Sequence, residues 1–542
     1  MRAITLAFFI SCLVTPLQLS AQLDDRDSLS ESSGDSQVAT DEQAALRQVE
    51  GHLAFLASDA MGGRDTATVQ GAITAQYMAS QLYALGLEPA GDDGSFQQTY
   101  PLVVSGLDMS GLRFDVLADE ERRESFVPED DYAVSGFGGA GCEVDAPVVF
   151  AGHGLVHEAS GVDDYAGLDV EGKFVMVLSG TPQGDENIPG LSSASRGRAK
   201  RRQASARGAA GLITIVLPDD VRANTTFRYS KARMGGESMG LPSGEDETQP
   251  FPRVYVQHAA AEKIFKAAGR DLTEAAGQWS PDPGASSFLL EGIRLALDVP
   301  VYTQELTSEN TVALLRGSDA ELADEMIVIS AHMDHVGVGD DGSIFNGADD
   351  NATGTTGLLM VAQALAKNRS SLGRSVVILA VSGEEKGLLG SEWWVANPTV
   401  DIDKVVANIN IDMIGRNQPD SIGVTPSPEH SEHNTLVSKS LLLGPAAGLE
   451  VEWTAGEGEF KRRVDEYYYR SDHVNFSKAG IPVVFFFAGE HEDYHKPTDT
   501  VEKIDAQKVL RVSNLVALLA QAVSRDSERP TRFSKSEGSE SR

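Results

Sequence analysis

From about residue 295 the sequence predicts an α/β fold on a mixed, mostly parallel sheet, preceded by a separate β-rich segment. Short, β-branched apolar runs recur at 311–316, 326–331, 375–382, 405–412 and 481–487. Helical periodicity lies between and after them, at 353–368, 433–446 and 506–524. Strands that alternate with helices imply parallel pairing, because a crossover helix carries the chain back to the same end of the sheet. Residues 127–290 read differently: they are Gly-rich and strand-rich with few long helices, and that shift marks a second domain.

The chain opens on MRAITLAFFISCLVTPLQLSAQ. Arg2, the apolar stretch to Val14 and the small-residue site at Leu19-Ser20-Ala21 predict a secretory signal over 1–21. This stretch is too short, and too broken by Pro16, to span a bilayer. Residues 22–40 are acidic, Ser-rich and non-periodic, the pattern of a disordered linker. Helical spacing predicts helices over 41–58 and 70–85, the second ending at Gly86, and residues 97–116 look strand-like, so 41–126 form one segment ahead of the β-rich region. Within that region the apolar runs fall at 146–150, 174–178 and 211–217. A basic cluster at Arg196, Arg198, Lys200, Arg201 and Arg202 reads as a solvated helix face rather than a docking site for an acidic partner. The domain that follows covers 291–525, and the polar tail 526–542 is expected to be disordered.

A chain of 542 residues suggests two or three domains, and 41% hydrophobic with 7% aromatic residues supports packed cores. A formal charge of −35 argues against nucleic acid, since few basic clusters are present to neutralise phosphates, and against docking on anionic lipid. Cys12 leaves with the signal, so the mature chain keeps Cys142 alone and no intrachain disulfide. A periplasmic or extracellular protein is expected, with no membrane association in its mature form. Its oligomeric state is left open.

The chemistry collects just past each strand. His332 and Asp334 follow 326–331, two apart and so on one face of an extended backbone. A Gly-rich loop then leads to Asp349, Asp350 and Asn351 ahead of a helix. SVVILAVS is followed by Glu384 and Glu385, the run at 405–411 ends in Asp412, and AGEHEDYHKPTDT carries His491 and His495. Each has a plain reading by itself: Asp350 or Asn351 can cap the helix, and adjacent glutamates are usually solvated. Their conjunction is another matter, because ligands of open parallel sheets bind beyond the carboxyl ends of the strands. Four distant segments thus bring imidazole and carboxylate to one rim on stiff supports, as a metal site needs. Five protein ligands hold two metals if one carboxylate bridges. His332 and Asp412 suit one ion, Glu385 and His495 the other, with an aspartate of the 349–350 pair shared and the ions ~3.5–4 Å apart. Nitrogen and oxygen donors without thiolate favour zinc, with cobalt or manganese as substitutes. Asp334 is left to orient His332 through its second ring nitrogen. Glu384 is left to accept a proton from water whose pKa the metals bring toward ~7.

SAHMDHVG, GADDNATG, SGEEKGLLGS, NIDMIG, RSDHVNFSKAGIPVVFFF and YHKPTDT, in this order, resemble the co-catalytic two-zinc aminopeptidases of clan MH, the bacterial leucyl aminopeptidase-like enzymes with glutamate carboxypeptidases and glutaminyl cyclases among their relatives. The resemblance covers 295–525 and implies a three-layer zinc-peptidase fold of the phosphorylase/hydrolase-like type. LASDAMGGRDTATVQGAITAQYMASQL looks like the N-terminal part of the same peptidase domain, and DDYAGLDVEGKFVMVLSG with ASARGAAGLITIV is similar to an inserted protease-associated domain. The implied ligands of two Zn2+ are His332, Asp350, Glu385, Asp412 and His495, with Asp350 selected over Asp349 as the bridge. The implied general base is Glu384, with Asp334 in support. Tyr494 matches a position that touches the substrate or its oxyanion. Peptides are the implied substrates, hydrolysed from the amino end through a metal-bridging hydroxide.

Two further motifs compete. His491-Glu492-Asp493-Tyr494-His495 fits HExxH, which requires a helix, yet Gly489 and Pro497 leave no room for one. His491 is therefore expected at the rim or in a hydrogen bond. Gly236-Glu237-Ser238-Met239-Gly240 fits the GxSxG elbow, but its flanks read as loop rather than strand and helix. Arg416, Arg462, Arg463 and Arg470 keep a carboxypeptidase reading open, since a terminal carboxylate needs a cation. A glutaminyl cyclase on the same fold, or a non-catalytic binding protein stabilised by its metals, are the remaining alternatives.

Overall fold

The structure, a computed structural model, describes residues 31–135, 141–182, 191–242 and 251–533; the expected signal segment 1–21 lies outside them. The chain divides into two compact units, Met1–Pro101 with Thr307–Arg542, and Leu102–Leu306.

The first unit is built on strands β1 (Val301–Leu315), β2 (Met326–His332), β3 (Ser375–Val381), β4 (Val405–Asp412), β5 (Ser421–Thr425), β6 (Glu450–Glu452) and β7 (Val483–Phe487). Their order in the sheet is β1-β3-β2-β4-β7-β5-β6. The central four, β3-β2-β4-β7, are parallel, β1 and β5 run antiparallel to their neighbours β3 and β7, and β6 is parallel to β5. The sheet is thus mixed and mostly parallel. Its helices are α1 (Glu31–Leu56), α2 (Val69–Ala84), α3 (Gly354–Lys367), α4 (Leu389–Ala396), α5 (Thr435–Leu443), α6 (His473–Lys478) and α7 (Ala506–Arg525).

The central strands read as unbroken apolar runs because both their faces are covered. Ile327, Ile329 and Ala331 of β2 and Ile378 of β3 share one core with Leu358 and Val361 of α3 and Leu515 and Leu519 of α7. The intervening Val328, Val377 and Leu379 belong to a second core with Trp394 of α4 and Phe476 of α6. Helix, sheet and helix therefore form three layers, and the parallel strands release their carboxyl ends along one rim.

The second unit carries an eight-stranded sheet in the order Glu121–Ser125, Arg113–Ala118, Ser287–Val299, Cys142–Ala151, Phe174–Leu178, Gly211–Val216, Arg253–Gln257, Tyr132–Ser135. The expected bounds of 127–290 are too narrow. Ser287–Val299 pairs antiparallel with Arg113–Ala118, Arg294 opposite Leu117, so the sheet draws on residues well to either side. Only this long-range register reveals that the strand near 113 belongs here. The unit is also less purely β than its composition suggests, with helices Gly197–Ser205, Val221–Met234 and His258–Ala267. Ser238 lies on a short edge strand, Ser238–Gly240, paired antiparallel with residues 103–105, so no nucleophile elbow forms.

Three other expectations need correction. Helix α1 begins at Glu31, inside the segment read as linker: a helix already nucleated by packed residues extends at the cost of one residue per hydrogen bond. The tail is docked as far as Phe533, through Arg529 to Glu325 at 2.7 Å, Arg532 to Glu432 at 2.8 Å and Lys439 to Asp526 at 2.8 Å; residues 534–542 lie outside the described ones. The basic cluster is not uniformly solvated. Lys200 is buried on the inner side of its helix, where its Nζ donates to the carbonyls of Leu178 and Gly180 at 2.8 and 2.9 Å.

Arg64 is wholly buried and donates to four main-chain carbonyls: Leu56 at 2.6 Å, Asn346 at 2.7 Å, Gly347 at 2.9 Å and Met333 at 3.1 Å. It ties the segment after α1 to both loops that follow β2. Arg64→Met leaves these acceptors without donors and should lower the unfolding free energy of this unit by ~2–4 kcal/mol in urea denaturation, whereas a loss under ~0.5 kcal/mol would mean that other donors replace it. In the second unit, burial lowers the Lys200 ammonium to about 7 from 10.5. Between those values the unfolded chain holds the extra proton, so stability rises with pH across that window and is flat below it. Lys200→Met should abolish that part of the pH slope when unfolding is compared at pH 7 and 9.

Candidate metal centre

The rim at the carboxyl ends of β2, β3, β4 and β7 gathers the predicted residues. His332 ends β2 and Asp412 ends β4, both set by strand register; Glu384 and Glu385 follow β3 across Ser382 and Gly383, and His495 stands in the turn after β7. Asp350 comes from the loop leading into α3, where the chain switches from extended to helical backbone.

Two clusters result, sharing one residue. In the first, His332 Nε2 lies 3.1 Å from Asp412 Oδ1 and 3.4 Å from Asp350 Oδ1. In the second, which also contains His335, His495 Nε2 lies 3.1 Å from Asp350 Oδ2 and 3.2 Å from Glu385 Oε2. Asp350 thus offers one oxygen to each side. Asp349, its neighbour, is turned away: Oδ1 accepts the N–H of Gly415 at 2.7 Å and Oδ2 is 3.3 Å from His491 Nε2. The geometry separates the two aspartates, which spacing in the sequence does not.

The donors suit divalent ions. Carboxylates buried together repel one another and lose hydration, a cost that cations between them offset. Burial and the nearby Glu385 raise Asp350, and burial, with Asp412 and Glu385 also contributing, pushes Glu384 well above the usual carboxylate range. Edges of a tetrahedron of nitrogen and oxygen ligands at ~2.0–2.1 Å measure about 3.3 Å, close to the four contacts above. All donors are imidazole or carboxylate, the set that zinc accepts readily.

The supporting contacts are specific. Asp499 accepts the N–H groups of Asp349 and Asp350 at 3.0 and 3.2 Å, which fixes the loop that carries the shared carboxylate. Ser471 Oγ donates to Asp412 Oδ2 at 2.9 Å. Asp334 departs from its expected contact: its carboxylate stands 3.8 Å from His332 Nδ1, while its main-chain carbonyl is nearer at 3.2 Å. The carboxylate instead accepts Thr66 Oγ1 at 2.9 Å and the N–H groups of Glu384 and Glu385 at 3.3 and 3.4 Å. It therefore holds the glutamate pair in place from below. His491 and His495 do not lie on one helical face; they sit in turns and reach Asp349 and Asp350 respectively.

Glu384, Asp350 and Asp412 open onto a cleft completed by Met413, Tyr467, Arg470, Phe485, Phe487, Glu490 and Tyr494. Tyr494 accepts a hydrogen bond from Arg470 Nη2 at 3.1 Å, and burial pushes its phenol far up, so it remains an O–H donor at any working pH. Arg470 also pairs with Glu490 at 2.8 Å, Arg416 with Asp493 at 3.0 Å and Arg463 with Glu429 at 2.7 Å.

Sequence reasoning missed three contributors. His335 is buried with Nδ1 2.8 Å from Glu385 Oε1; it stands in the quoted SAHMDHVG, one residue past Asp334. Thr66 and Asp499 lie in quoted motifs too, but only the folded chain brings them to the rim.

The profile of peptidase family M28 matches residues 310–520. Aminopeptidase YwaD of Bacillus subtilis (strain 168) is 25% identical over 244 residues, 43% of this chain and 49% of its own length. A probable leucine aminopeptidase of Arthroderma otae is 27% identical over 202 residues, 36% of this chain and 53% of its own. The chain thus spans about half the length of the curated relatives it matches. A solved aminopeptidase from Aneurinibacillus sp. strain AM-1 aligns with a TM-score of 0.49 and 19% identity, over 88% of this chain and 93% of its own. The matched stretch, 310–520, contains every ligand candidate from His332 to His495, so this part of the chain is similar to peptidase family M28.

Proposed function

We propose that this protein is an exported two-zinc aminopeptidase that removes apolar residues from the amino ends of peptides. The observation that carries the reading is Asp350, one oxygen toward His332 and the other toward His495, with Glu384 on the same cleft. Zinc bound by the two clusters would supply Lewis acidity for the scissile carbonyl and the attacking water. Glu384 takes the proton of that water and returns it to the departing amine. Tyr494, held by Arg470, donates its O–H toward the oxygen on which charge develops. Export rests on residues 1–21, and the reading of the second unit as a protease-associated insert rests on its sequence resemblance. Among the described residues no helix is long and apolar enough to cross a membrane.

Two features favour the amino end. Arg416, Arg463 and Arg470, which could otherwise meet a terminal carboxylate, are each paired with a side-chain carboxylate already. Met413, Tyr467, Phe485 and Phe487 form an apolar cluster on the cleft wall, which suits an apolar first side chain.

With leucyl- or phenylalanyl-p-nitroanilide, Glu384→Gln should lose ~10²–10⁴-fold in kcat while keeping its thermal midpoint. Activity equal to wild type would overturn the assigned base. A chelator should abolish turnover, with zinc restoring it, and aspartyl and amino-blocked substrates should be poor. Cleavage confined to the carboxyl end of peptides would sink the aminopeptidase reading.

A further inference from the structure

We propose that His335 is the positioning residue for Glu385: its Nδ1–H is donated to Oε1 and so turns Oε2 toward the cluster shared by Asp350 and His495. The inference rests on the two-ion reading above and adds to it a residue that chemistry at strand ends alone does not call for.

Distance separates the roles of the three imidazoles. His332 and His495 approach their carboxylates at 3.1–3.4 Å, near the edge length of ligands around one ion. His335 approaches Glu385 at 2.8 Å and stands 3.9 Å from Asp350, a hydrogen bond to one carboxylate rather than a place among the ligands. Glu385 therefore has both oxygens engaged by rings on opposite sides, Oε1 by His335 and Oε2 by His495. A carboxylate next to Nδ1 selects the tautomer with its proton there, which leaves the lone pair on the buried Nε2, an atom without a hydrogen-bond partner among the described residues.

The ring's position is built, not incidental. The main-chain N–H of His335 donates to the Arg64 carbonyl at 3.4 Å, and Arg64 in turn grips the carbonyls of Met333 and Gly347 on either side. A Cβ at Gly347 would lie 2.4 Å from Cγ and Cδ2 of His335, and that residue has φ of 55°, so glycine there makes room for the imidazole. A ring that merely filled space would need none of this alignment toward Oε1.

Zinc affinity tests the assignment directly, by chelator competition on purified wild type, His335→Ala, His335→Asn and His335→Gln. An asparagine amide places an N–H where Nδ1–H stood; a glutamine amide places it where Nε2 stood. Wild type should hold two zinc ions, with about one imidazole per ion by X-ray absorption. The Ala and Gln variants should bind one of the two ions ~10–100-fold more weakly, with the imidazole count unchanged, and Asn should recover most of the loss. If Ala does not fold, Asn against Gln carries the same contrast. Equal affinity in all four proteins, or equal weakening in Asn and Ala, would overturn the positioning role. So would a fall in the imidazole count of the Ala variant, which would make the ring a ligand. A wild type that binds no zinc would overturn the two-ion reading and this assignment with it.

Discussion

Like charge held close together, away from water, is the constraint on which the rim of this protein depends. Asp334, Asp350, Glu384, Glu385 and Asp412 converge at the carboxyl ends of four parallel strands. Such a group is stable only if cations or hydrogen-bond donors answer each oxygen. The surroundings supply many: two backbone N–H groups and a threonine for Asp334, a serine for Asp412, and the His335 imidazole for Glu385. On the two-zinc reading, the oxygens that face inward toward His332 and His495 are the ones that would meet metal.

Rigidity beneath the rim gives that arrangement its precision. Each central strand is packed on both faces, so the positions of His332 and Asp412 follow from register rather than from loop conformation. Loop-borne donors are fixed by other means. Asp499 clamps the main chain of Asp349 and Asp350, and Arg64 fastens the chain on either side of the His335 ring. Buried cations and carboxylates aimed at backbone groups thus extend the stiffness of the sheet into the loops.

The second unit shows the same dependence on distant pairing. Its sheet closes by setting Ser287–Val299 between Arg113–Ala118 and Cys142–Ala151, strands that bracket most of the unit in sequence. Lys200, one of five basic residues in a short stretch, is drawn inward to donate to two carbonyls at and just past the end of a buried strand. Its neighbours in sequence show nothing of this.

Local patterns by themselves placed β2, β3, β4, β7, α2, α3, α5 and α7 to within a few residues, since apolar runs buried on both faces and helices with one buried stripe leave distinct periodicities. Strand β1 and helix α1 begin ten residues earlier than expected, and the short β5, β6, α4 and α6 are not among the expected elements. The same patterns also pointed to the imidazoles and carboxylates that the fold gathers at one rim, because such groups past apolar strands have few other uses. Tertiary structure alone decided which oxygen of Asp350 meets which histidine, that Asp349 turns away, that the Asp334 carboxylate meets the glutamate N–H groups, and that His335, Arg64 and Asp499 stand around the rim. The reason is physical: periodicity records which face of an element is buried, whereas a hydrogen bond between residues hundreds of positions apart leaves no trace in either stretch alone.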